Sequence, residues 1–382
     1  METMQSILKR GREVWDQVNM PKAEFQQRVE KIKKQMKKEG INVLLLYGNA
    51  LNEYGDLCYV SNYTSAFLMG ALVAITDKGE VTLIFEGAAR EVTATKSITW
   101  VEDVRSCDEV AHACVTYLKE KNLIPSTIGF VGLRQFMPCR QFQSLSESID
   151  QCDIVDLDSI LRKMRMVKSQ RECDQIRRSA RIVSHVFGLI SETTFPSRTE
   201  KVVEAAINRE ACLEGAGDIR ILIARPQETT WTFRPAEDVP ISSGETFIIY
   251  LAVEFERYWS EGIRTFLAKD SVFAKPKFEN IESLYERIMD SMKPGKRMFE
   301  FYNETMREMH ENKFVYISDY GLGHGIGLGL EESPVINGKD KTPFKEGMCL
   351  TLRLLIKDRE MGAIIMGNTV HVSKSGPEIF TK

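Results

Sequence analysis

A histidine enclosed by glycines near the carboxyl-terminal end constrains this chain more than any other feature of its sequence. The residues are Gly323-His324-Gly325-Ile326-Gly327-Leu328, and Glu331-Glu332-Ser333-Pro334 follow. Glycine permits close backbone approach, so His324 is expected to be held in a fixed position between neighbouring segments. A histidine held in this way is suited to metal binding or to proton transfer.

Length and charge limit the classes of protein to consider. A chain of 382 residues is long enough for about two domains, each with its own core. The net charge of −3 and pI near 6.1 give no electrostatic footprint for nucleic acid or an anionic membrane. No apolar run reaches membrane-spanning length, and Met1-Glu2-Thr3-Met4 lacks the apolar core of a signal peptide. We therefore expect a cytoplasmic location, with neither nucleic acid nor membrane as a partner.

The cysteines are dispersed and never form a Cys-x-x-Cys motif. This spacing argues against a structural zinc site and against a thioredoxin-like redox centre. Free thiols are the expected state of all eight, which stand at positions 58, 107, 114, 139, 152, 173, 212 and 349.

Periodicity predicts a compact α/β domain over residues 1–157. Apolar residues at Phe25, Val29, Ile32 and Met36 fall on one face of a helix that Gly40 terminates. The remaining predicted elements are a buried strand at 43–47, a hairpin of strands 72–76 and 81–85 around Asp77-Lys78-Gly79, a helix at 108–121, and strands at 128–131 and 154–157. The polar, basic stretch from 158 to 171 marks the predicted boundary.

Several segments in the second part of the chain resemble the creatinase/prolidase/methionine aminopeptidase family. The resemblance is carried by Tyr320–Leu328 and by the segment from Gly244 to Tyr250 that continues to Arg264-Thr265-Phe266. Leu161–Ala180 looks like the entry helix of that family, and 293–295 and 344–348 fall in the same order. The resemblance implies a creatinase-type α/β amino-terminal domain over 1–157, followed by a pita-bread domain over 158–382.

The resemblance also implies five metal-ligand positions, and most of them have changed. In relatives two aspartates, the glycine-flanked histidine and two glutamates hold two divalent ions, because neighbouring cations need anionic oxygens between them. Here the aspartate positions carry Tyr250 and Glu261, and the glutamate positions carry Arg353 and Gly367 beside the retained His324. A guanidinium cannot lose its proton to become a ligand. We therefore predict no metal site and no other cofactor.

Two assisting histidines of relatives are replaced as well. The resemblance places Thr232 at the upstream position and Glu331 at the downstream one. Creatinase works without metal but uses the upstream histidine as its base. A straightforward creatine hydrolase is therefore not expected either.

The residues that remain near the expected cavity can still perform acid/base chemistry and bind an anion. Alternatively, Glu261 and Arg353 fill the vacated site as a buried ion pair, and His324 is a packed remnant. Glu332 alternatively shapes its loop, Arg264 pairs with a carboxylate below the site, and the aromatics serve strand packing. The candidate catalytic residues are His324, Glu261 and Glu332, and the candidate substrate-binding residues are Arg353, Tyr250, Glu331, Trp231, Phe233 and Arg264.

These observations lead to a hypothesis from each of three classes. The first is a metal-independent hydrolase or lyase of creatinase type, acting on a small carbon–nitrogen compound, with a carboxylate-bearing compound as one option. The second is a non-catalytic pita-bread binding module, and the third is a metal-dependent Xaa-Pro peptidase. An open, hydrated cavity with converging polar groups favours an enzyme, whereas a cavity plugged by Tyr250 and a Glu261–Arg353 pair favours a binding module. The resemblance further implies a homodimer, since the partner's amino-terminal domain often lies near such a site.

Overall fold

The chain forms two compact units, Met1–Arg165 and Met166–Lys382. The predicted domain boundary after residue 157 stays a prediction; it lies at the start of the helix Asp158–Met166, eight residues before the end of the first unit. The structure is a computed structural model that describes residues 15–49, 54–65, 69–192, 198–225, 232–241, 246–266, 274–316, 321–358 and 362–382.

The first unit is built on a mixed sheet with helices along it. In its described residues the strand order is β4-β3-β2-β1-β5-β6. Strand β2 is antiparallel to both β1 and β3, and the remaining neighbouring pairs are parallel. The strands are β1 Val43–Asn49, β2 Gly70–Thr76, β3 Val81–Glu86, β4 Asp103–Cys107, β5 Thr127–Val131 and β6 Asp153–Asp156. The helices are α1 Lys22–Glu39, α2 Gly55–Ser61, α3 Val92–Ile98, α4 Val110–Glu120, α5 Leu133–Phe136, α6 Cys139–Ser148 and α7 Asp158–Met166.

The predicted elements of this unit are confirmed. Helix α1 buries Phe25, Val29, Ile32 and Met36 on one face and ends at Gly40, whose φ of 67° is left-handed. The turn between β2 and β3 has Gly79 at a φ of 89°, which an L residue adopts only with strain.

The second unit is a larger, mostly antiparallel sheet covered by two pairs of helices. Its strand order is β12-β11-β13-β14-β9-β8-β7 in the described residues, with β10 beside β13 and β15 beside β14. The strands are β7 Asp218–Ala224, β8 Phe247–Phe255, β9 Tyr258–Phe266, β10 Val315–Tyr316, β11 Gly323–Gly325, β12 Glu332–Ile336, β13 Cys349–Asp358, β14 Gly362–Ser373 and β15 Gly376–Ile379. The helices are α8 Gln170–Glu192, α9 Glu200–Leu213, α10 Ala274–Asp290 and α11 Met298–Glu311.

The entry helix expected at Leu161–Ala180 is not continuous, so this expectation was wrong in detail. Helices α7 and α8 are separated at Val167–Ser169, where Val167 forms an isolated bridge with Met348. Ser169 then caps α8, because its hydroxyl accepts from Glu172 N at 3.3 Å while Glu172 Oε2 accepts from Ser169 N at 3.0 Å. A tertiary strand contact has overridden local helix propensity.

The helices cover one face of the large sheet and leave the other face for the candidate site. Leu350 and Leu352 of β13 pack in one core with α10 and α11, and Ile249 and Leu251 of β8 pack in another with α8 and α9. Side chains alternate along a strand, so the residues between these point to the opposite side. None of the helices in the described ranges has the length and apolarity needed to cross a membrane.

Candidate active site on the open face of the large sheet

Strand register brings His324 and Arg353 to the same face of the sheet. Gly325 of β11 pairs with Leu350 of β13, and His324 N donates to Thr351 Oγ1 at 3.1 Å. Arg353 lies two residues beyond Thr351, and its N–H donates to Leu322 O at 2.7 Å. Residues two apart on a strand share a face, so Thr351 and Arg353 both lie on the side of His324.

The same register places Tyr250 and Glu261, the two positions where the resemblance implies aspartates, beside Arg353. Arg353 pairs with Gly367 of β14, which pairs with Ile263 of β9. Ile263 is also opposite Tyr250 of β8, and Glu261 lies two residues before it. The open face therefore carries Tyr250, Glu261, Arg353 and His324 together, and we call these four residues the site cluster.

Glu261 is held by a bidentate ion pair at the centre of the site cluster. Arg353 Nε donates to Glu261 Oε1 at 2.6 Å and Arg353 Nη2 donates to Oε2 at 2.7 Å, while Tyr250 Oη donates to Oε2 at 3.0 Å. The Glu261 backbone is fixed by Thr369, whose hydroxyl accepts from Glu261 N and donates to Glu261 O, both at 2.9 Å. The Glu261 side chain is only 2% exposed.

The surroundings of the ion pair shift the pKa values of Glu261 and Tyr250 in opposite directions. Burial raises the pKa of Glu261, but the charge of Arg353, then that of His324, and the hydrogen bonds from Arg353 and Tyr250 outweigh it and hold the pKa below its usual range. Burial also raises the pKa of Tyr250 well above its ordinary value, and the Glu261 carboxylate adds to the rise. Tyr250 is therefore a neutral hydrogen-bond donor and Glu261 an anion at neutral pH.

Phe233 supports the ring of Tyr250. The two rings meet edge to face, with their centroids 6.1 Å apart, and the Arg353 guanidinium carbon lies 5.8 Å from the Tyr250 ring centre. Such contacts stabilise the ring orientation by about 0.5–1.5 kcal/mol. Trp231, predicted beside Phe233, lies outside the described residues.

His324 contrasts with Glu261 because one of its ring nitrogens makes no hydrogen bond to any residue that the structure describes. Nδ1 lies 2.9 Å from Gly325 O, and a carbonyl only accepts, so Nδ1 carries the proton in that bond and the neutral ring has its lone pair on Nε2. Nε2 is buried and has no hydrogen-bond partner among the described residues. Its nearest carboxylate is Glu331, with Oε1 at 3.9 Å on a side chain that is 72% exposed.

The flanking glycines are required by close backbone approach, as predicted. A Cβ on Gly323 would lie 1.9 Å from Thr351 O, and one on Gly325 would lie 2.4 Å from Ser333 O. Any side chain at either position would displace β11 from its neighbours. The backbone therefore fixes where the His324 ring lies.

Arg264 stabilises the carboxyl-terminal end of the chain. Its guanidinium donates to Gly367 O at 2.7 Å, to Asn368 Oδ1 at 2.8 Å and to Thr381 O at 2.6 Å. Among the described residues these acceptors are carbonyl and amide oxygens, and the predicted pairing with a carboxylate stays a prediction. Burial lowers the pKa of Arg264, while the charge of Glu282 acts in the opposite direction. This one side chain therefore joins β9 and β14 to the segment that follows β15.

Glu332 is held by a buried lysine and by the backbone of its own loop. Lys168 Nζ lies 2.9 Å from Glu332 Oε2, and Gly329 N donates to Glu332 Oε1 at 2.7 Å. Both charged side chains are buried. This pairing places Glu332 in the support of the Gly327–Gly329 turn, and its predicted role as a catalytic partner of His324 stays a prediction.

The residues at the implied ligand positions do not fit a dinuclear metal centre. Arg353 is a permanent cation and Gly367 has no side chain, while a Cβ there would lie 2.9 Å from Ile263 Cγ1. Both oxygens of Glu261 are already bound by Arg353 and Tyr250. Two divalent cations need several free anionic oxygens, which this cluster does not offer.

Two positioning residues, Thr351 and Lys168, were not predicted from the sequence. Thr351 fixes the backbone of His324, and Lys168 neutralises Glu332 across 164 positions of sequence. Thr351 lies two residues before Arg353 on an apolar strand, and that regular spacing was the one available signal. Lys168 gave none, because its partner is set by tertiary structure.

Comparison with known proteins agrees with this geometry. Residues 174–374 match the model of metallopeptidase family M24, and residues 28–167 match that of the creatinase/prolidase N-terminal domain. The Xaa-Pro dipeptidase of Pyrococcus horikoshii is 24% identical over 359 residues, which span 93% of this chain and 97% of the relative.

Two further similarities widen the range of relatives. The crystal structure of X-Pro aminopeptidase from Thermotoga maritima MSB8 has a TM-score of 0.79 at 21% identity, covering 93% of this chain and 97% of that one. The FACT complex subunit spt16 of Aspergillus fumigatus is 24% identical over 287 residues, which cover 64% of this chain and 27% of that protein. The fold is thus a creatinase-type amino-terminal α/β domain followed by a pita-bread domain, and the chain belongs to metallopeptidase family M24.

Proposed function

We propose that this chain is a hydrolase that cleaves a carbon–nitrogen bond in a small carboxylate-bearing compound without a dinuclear metal centre. The observation that carries the proposal is the buried Nε2 of His324, which has no hydrogen-bond partner among the described residues and shares a sheet face with Arg353. A buried polar atom without a partner costs about 1–3 kcal/mol, so a fold that keeps one calls for an explanation.

In this proposal His324 is the general base and then the general acid. Nε2 accepts a proton from a water molecule while the water oxygen attacks the carbon of the C–N bond. The resulting imidazolium returns that proton to the leaving nitrogen, so water is consumed and an acid and an amine are released. General acid–base catalysis of this kind contributes about 10²–10⁴-fold to a rate. A lyase using the same base to abstract a carbon-bound proton is the related alternative.

Arg353 is proposed to bind the substrate carboxylate. Its Nε and Nη2 are engaged by Glu261, whereas Nη1 makes no hydrogen bond to the described residues and the side chain is 21% exposed. Glu261 then acts by fixing the guanidinium, and Tyr250 by fixing Glu261. The exposed Glu331 is suited to orienting the imidazolium or to binding a cationic part of the substrate.

The names of the relatives support hydrolysis of an amide bond next to a carboxylate, since an Xaa-Pro dipeptide has both. A metal-dependent Xaa-Pro peptidase is the candidate that those names favour. It requires a dinuclear donor set that Tyr250, Arg353 and Gly367 do not supply. We therefore propose a related substrate class with a different mechanism.

A binding module is the second candidate, and one observation favours it. Glu261, Arg353 and Tyr250 satisfy one another, as expected for a vacated site filled by structural side chains. The similarity to spt16, a subunit of a complex, agrees with this alternative. The two candidates differ in what His324 does.

The test uses chelator-treated, desalted protein and a panel of small N-acyl and N-amidino carboxylates beside Xaa-Pro dipeptides. We expect turnover that chelator does not abolish and that His324→Ala lowers at least 100-fold, with His310→Ala, at an exposed site, as the matched control. Turnover that appears only with added manganese, cobalt or zinc overturns the proposal. Ligand binding without turnover across the panel favours the binding module.

We also infer a cytoplasmic homodimer without nucleic-acid partners, which rests on the family resemblance and the balanced charge. Sedimentation at micromolar concentration checks the assembly, and a mass near twice 43.6 kDa is expected. A monomer would confine the site to one chain.

A further inference from the structure

A second cluster of reactive groups lies in the pita-bread unit and takes no part in the proposed reaction. Cys173 stands in the first turn of α8, and Cys349 begins β13. Their sulfur atoms are 3.9 Å apart, and both residues are buried. Strand register then adds His371, opposite Cys349, and Glu378, opposite His371. We call these four residues the thiol cluster.

The histidine of the thiol cluster is oriented toward the cysteine. His371 Nδ1 lies 3.3 Å from Glu378 Oε2, and the imidazole stacks on Phe380 with ring centroids 5.4 Å apart. The imidazole also lowers the pKa of the Cys173 thiol, and Cys173 in turn raises the pKa of His371. The arrangement of thiol, imidazole and carboxylate is one that stabilises a thiolate.

The surrounding charges favour a thiolate on Cys173 and not on Cys349. The hydrogen bond from Cys349 outweighs burial and, with the hydrogen bond and charge of His371, lowers the pKa of Cys173 to about 6, against a small opposing effect of Glu172. Burial raises the pKa of Cys349 well above its ordinary value, and Cys173 adds to the rise, while Lys168 opposes it.

The first unit provides an internal contrast. Cys107 and Cys114 also lie near each other, but burial raises the pKa of each to about 12, and carboxylates add to the rise for Cys107. No imidazole or other cation contributes to either value. The thiol cluster therefore differs from an ordinary pair of core cysteines.

We infer that Cys173 and Cys349 are an oxidisable thiol pair, in which a hydroperoxide oxidises Cys173 and Cys349 closes a disulfide with it. The inference is independent of the proposed hydrolase activity.

Both steps balance with hydrogen peroxide as the oxidant. The Cys173 thiolate attacks one peroxide oxygen, an S–O bond forms, the O–O bond breaks, and the leaving hydroxide takes a proton from the His371 imidazolium. The Cys349 sulfur then attacks Cys173, the S–S bond forms, the S–O bond breaks, and water leaves with the Cys349 proton. Two thiols and one peroxide give one disulfide and two waters.

Peroxide reaches this pair through local opening near the edge strand β15. Hydrogen peroxide is little larger than water, and Glu378 beside His371 is half exposed. Proteins open locally with free energies well below that of global unfolding. The low pKa keeps about nine-tenths of Cys173 ionised at pH 7, compared with a few per cent of an ordinary cysteine.

The experiment treats the reduced full-length protein with stoichiometric hydrogen peroxide at pH 7, blocks remaining thiols with an alkylating agent, and maps peptides by mass spectrometry. We expect a linked peptide pair containing Cys173 and Cys349, formed at least threefold faster than any oxidation of the exposed Cys139 and Cys212. Oxidation confined to Cys139 and Cys212 overturns the inference. This measurement needs no variant.

Substitutions then separate the roles within the cluster. Cys349→Ser is expected to accumulate a sulfenic acid on Cys173 that a dimedone probe captures, whereas the matched control Cys212→Ser still forms the disulfide. In the wild type the oxidation rate should change less than threefold from pH 7 to pH 9. With His371→Asn it should rise more than threefold over that interval, because loss of the His371 contribution raises the pKa of Cys173 while the hydrogen bond from Cys349 remains. Parallel pH profiles of the two proteins would refute the part assigned to His371.

Discussion

The Glu261 side and the His324 side of the site cluster differ in how completely their polar atoms are paired. Both oxygens of Glu261 accept hydrogen bonds from charged or neutral donors, and its backbone is fixed on both sides by Thr369. His324 has one ring nitrogen bound to Gly325 O and the other without a hydrogen bond among the described residues. The carboxylate of Glu261 is therefore fully paired, whereas Nε2 of His324 is available for the role proposed for it.

Substitutions on these two sides are expected to change the free energy of unfolding by different amounts. Breaking a buried ion pair by removing one partner costs about 3–5 kcal/mol, because the other charge is left without compensation. Removing an atom that makes no bond costs little and even relieves the penalty of its burial. Stability should therefore depend strongly on Arg353 and weakly on His324. The predictions below test this difference.

The largest effect is expected from Arg353→Glu. This substitution restores a carboxylate at an implied ligand position but sets it against Glu261, and like charges at a buried site raise carboxylate pKa values and destabilise the fold. We expect the free energy of unfolding to fall by about 4 kcal/mol or more. Urea unfolding measures it. No metallopeptidase activity should appear, because Tyr250 and Gly367 still supply no ligand.

Two matched variants sharpen this first comparison. Arg353→Lys keeps the charge but loses the bidentate geometry, so about half of the loss is expected. Lys22→Ala removes an ion pair with Glu102 on the exposed surface and should change stability far less than Arg353→Lys does. Metal-dependent cleavage of Xaa-Pro dipeptides by Arg353→Glu would mean that the vacated positions were misread.

Local patterns were sufficient for the elements that local physics determines. The apolar period from Phe25 to Met36 and the glycine at position 40 define α1, and Gly79 defines the β2–β3 turn. The glycines around His324 predicted its confinement, and the Glu261–Arg353 pair was anticipated as one of two alternatives. Family resemblance, not periodicity, supplied the pita-bread fold.

What escaped prediction depends on partners far away in sequence. The break between α7 and α8 comes from the pairing of Val167 with Met348, and the buried state of Glu332 comes from Lys168. Arg264 donates to the carbonyls of Gly367 and Thr381, which lie 103 and 117 positions away in the sequence. No window of sequence contains both members of such contacts.

An intermediate effect is expected on the pH dependence of stability. The pKa of Glu261 is lowered in the folded state, so the stability it contributes is present above the unfolded pKa of about 4.3 and is lost as pH falls through the folded pKa. Glu261→Gln should be less stable than wild type by about 3 kcal/mol at pH 7, with the difference shrinking toward zero in acid. Urea midpoints from pH 3 to 7 measure this trend.

A surface carboxylate provides the control for that titration. Glu80 is exposed and its pKa is lowered by Lys121, so Glu80→Gln should alter the profile much less than Glu261→Gln. A Glu261→Gln difference that stayed constant from pH 3 to 7 would mean that the carboxylate charge does not hold the pair together.

The smallest effect on stability, and the sharpest test of the contrast, is expected from His324→Asn. The ring makes one side-chain hydrogen bond, to Gly325 O, and Nε2 makes none with the described residues, so the loss in free energy of unfolding should stay below about 1 kcal/mol. Asparagine retains a donor that can reach a nearby carbonyl, while it lacks a basic nitrogen. Turnover of the responsive substrate should nevertheless fall at least 100-fold. His310→Asn, on the exposed face of α11, is the matched control for both measurements.

If His324→Asn instead lost about 3 kcal/mol, the histidine would be a packed remnant like Glu261, and both sides of the site cluster would be structural. If stability and turnover both stayed unchanged, the base would have to be sought elsewhere on the open face, with Glu331 as the first candidate because it lies 3.9 Å from the same nitrogen.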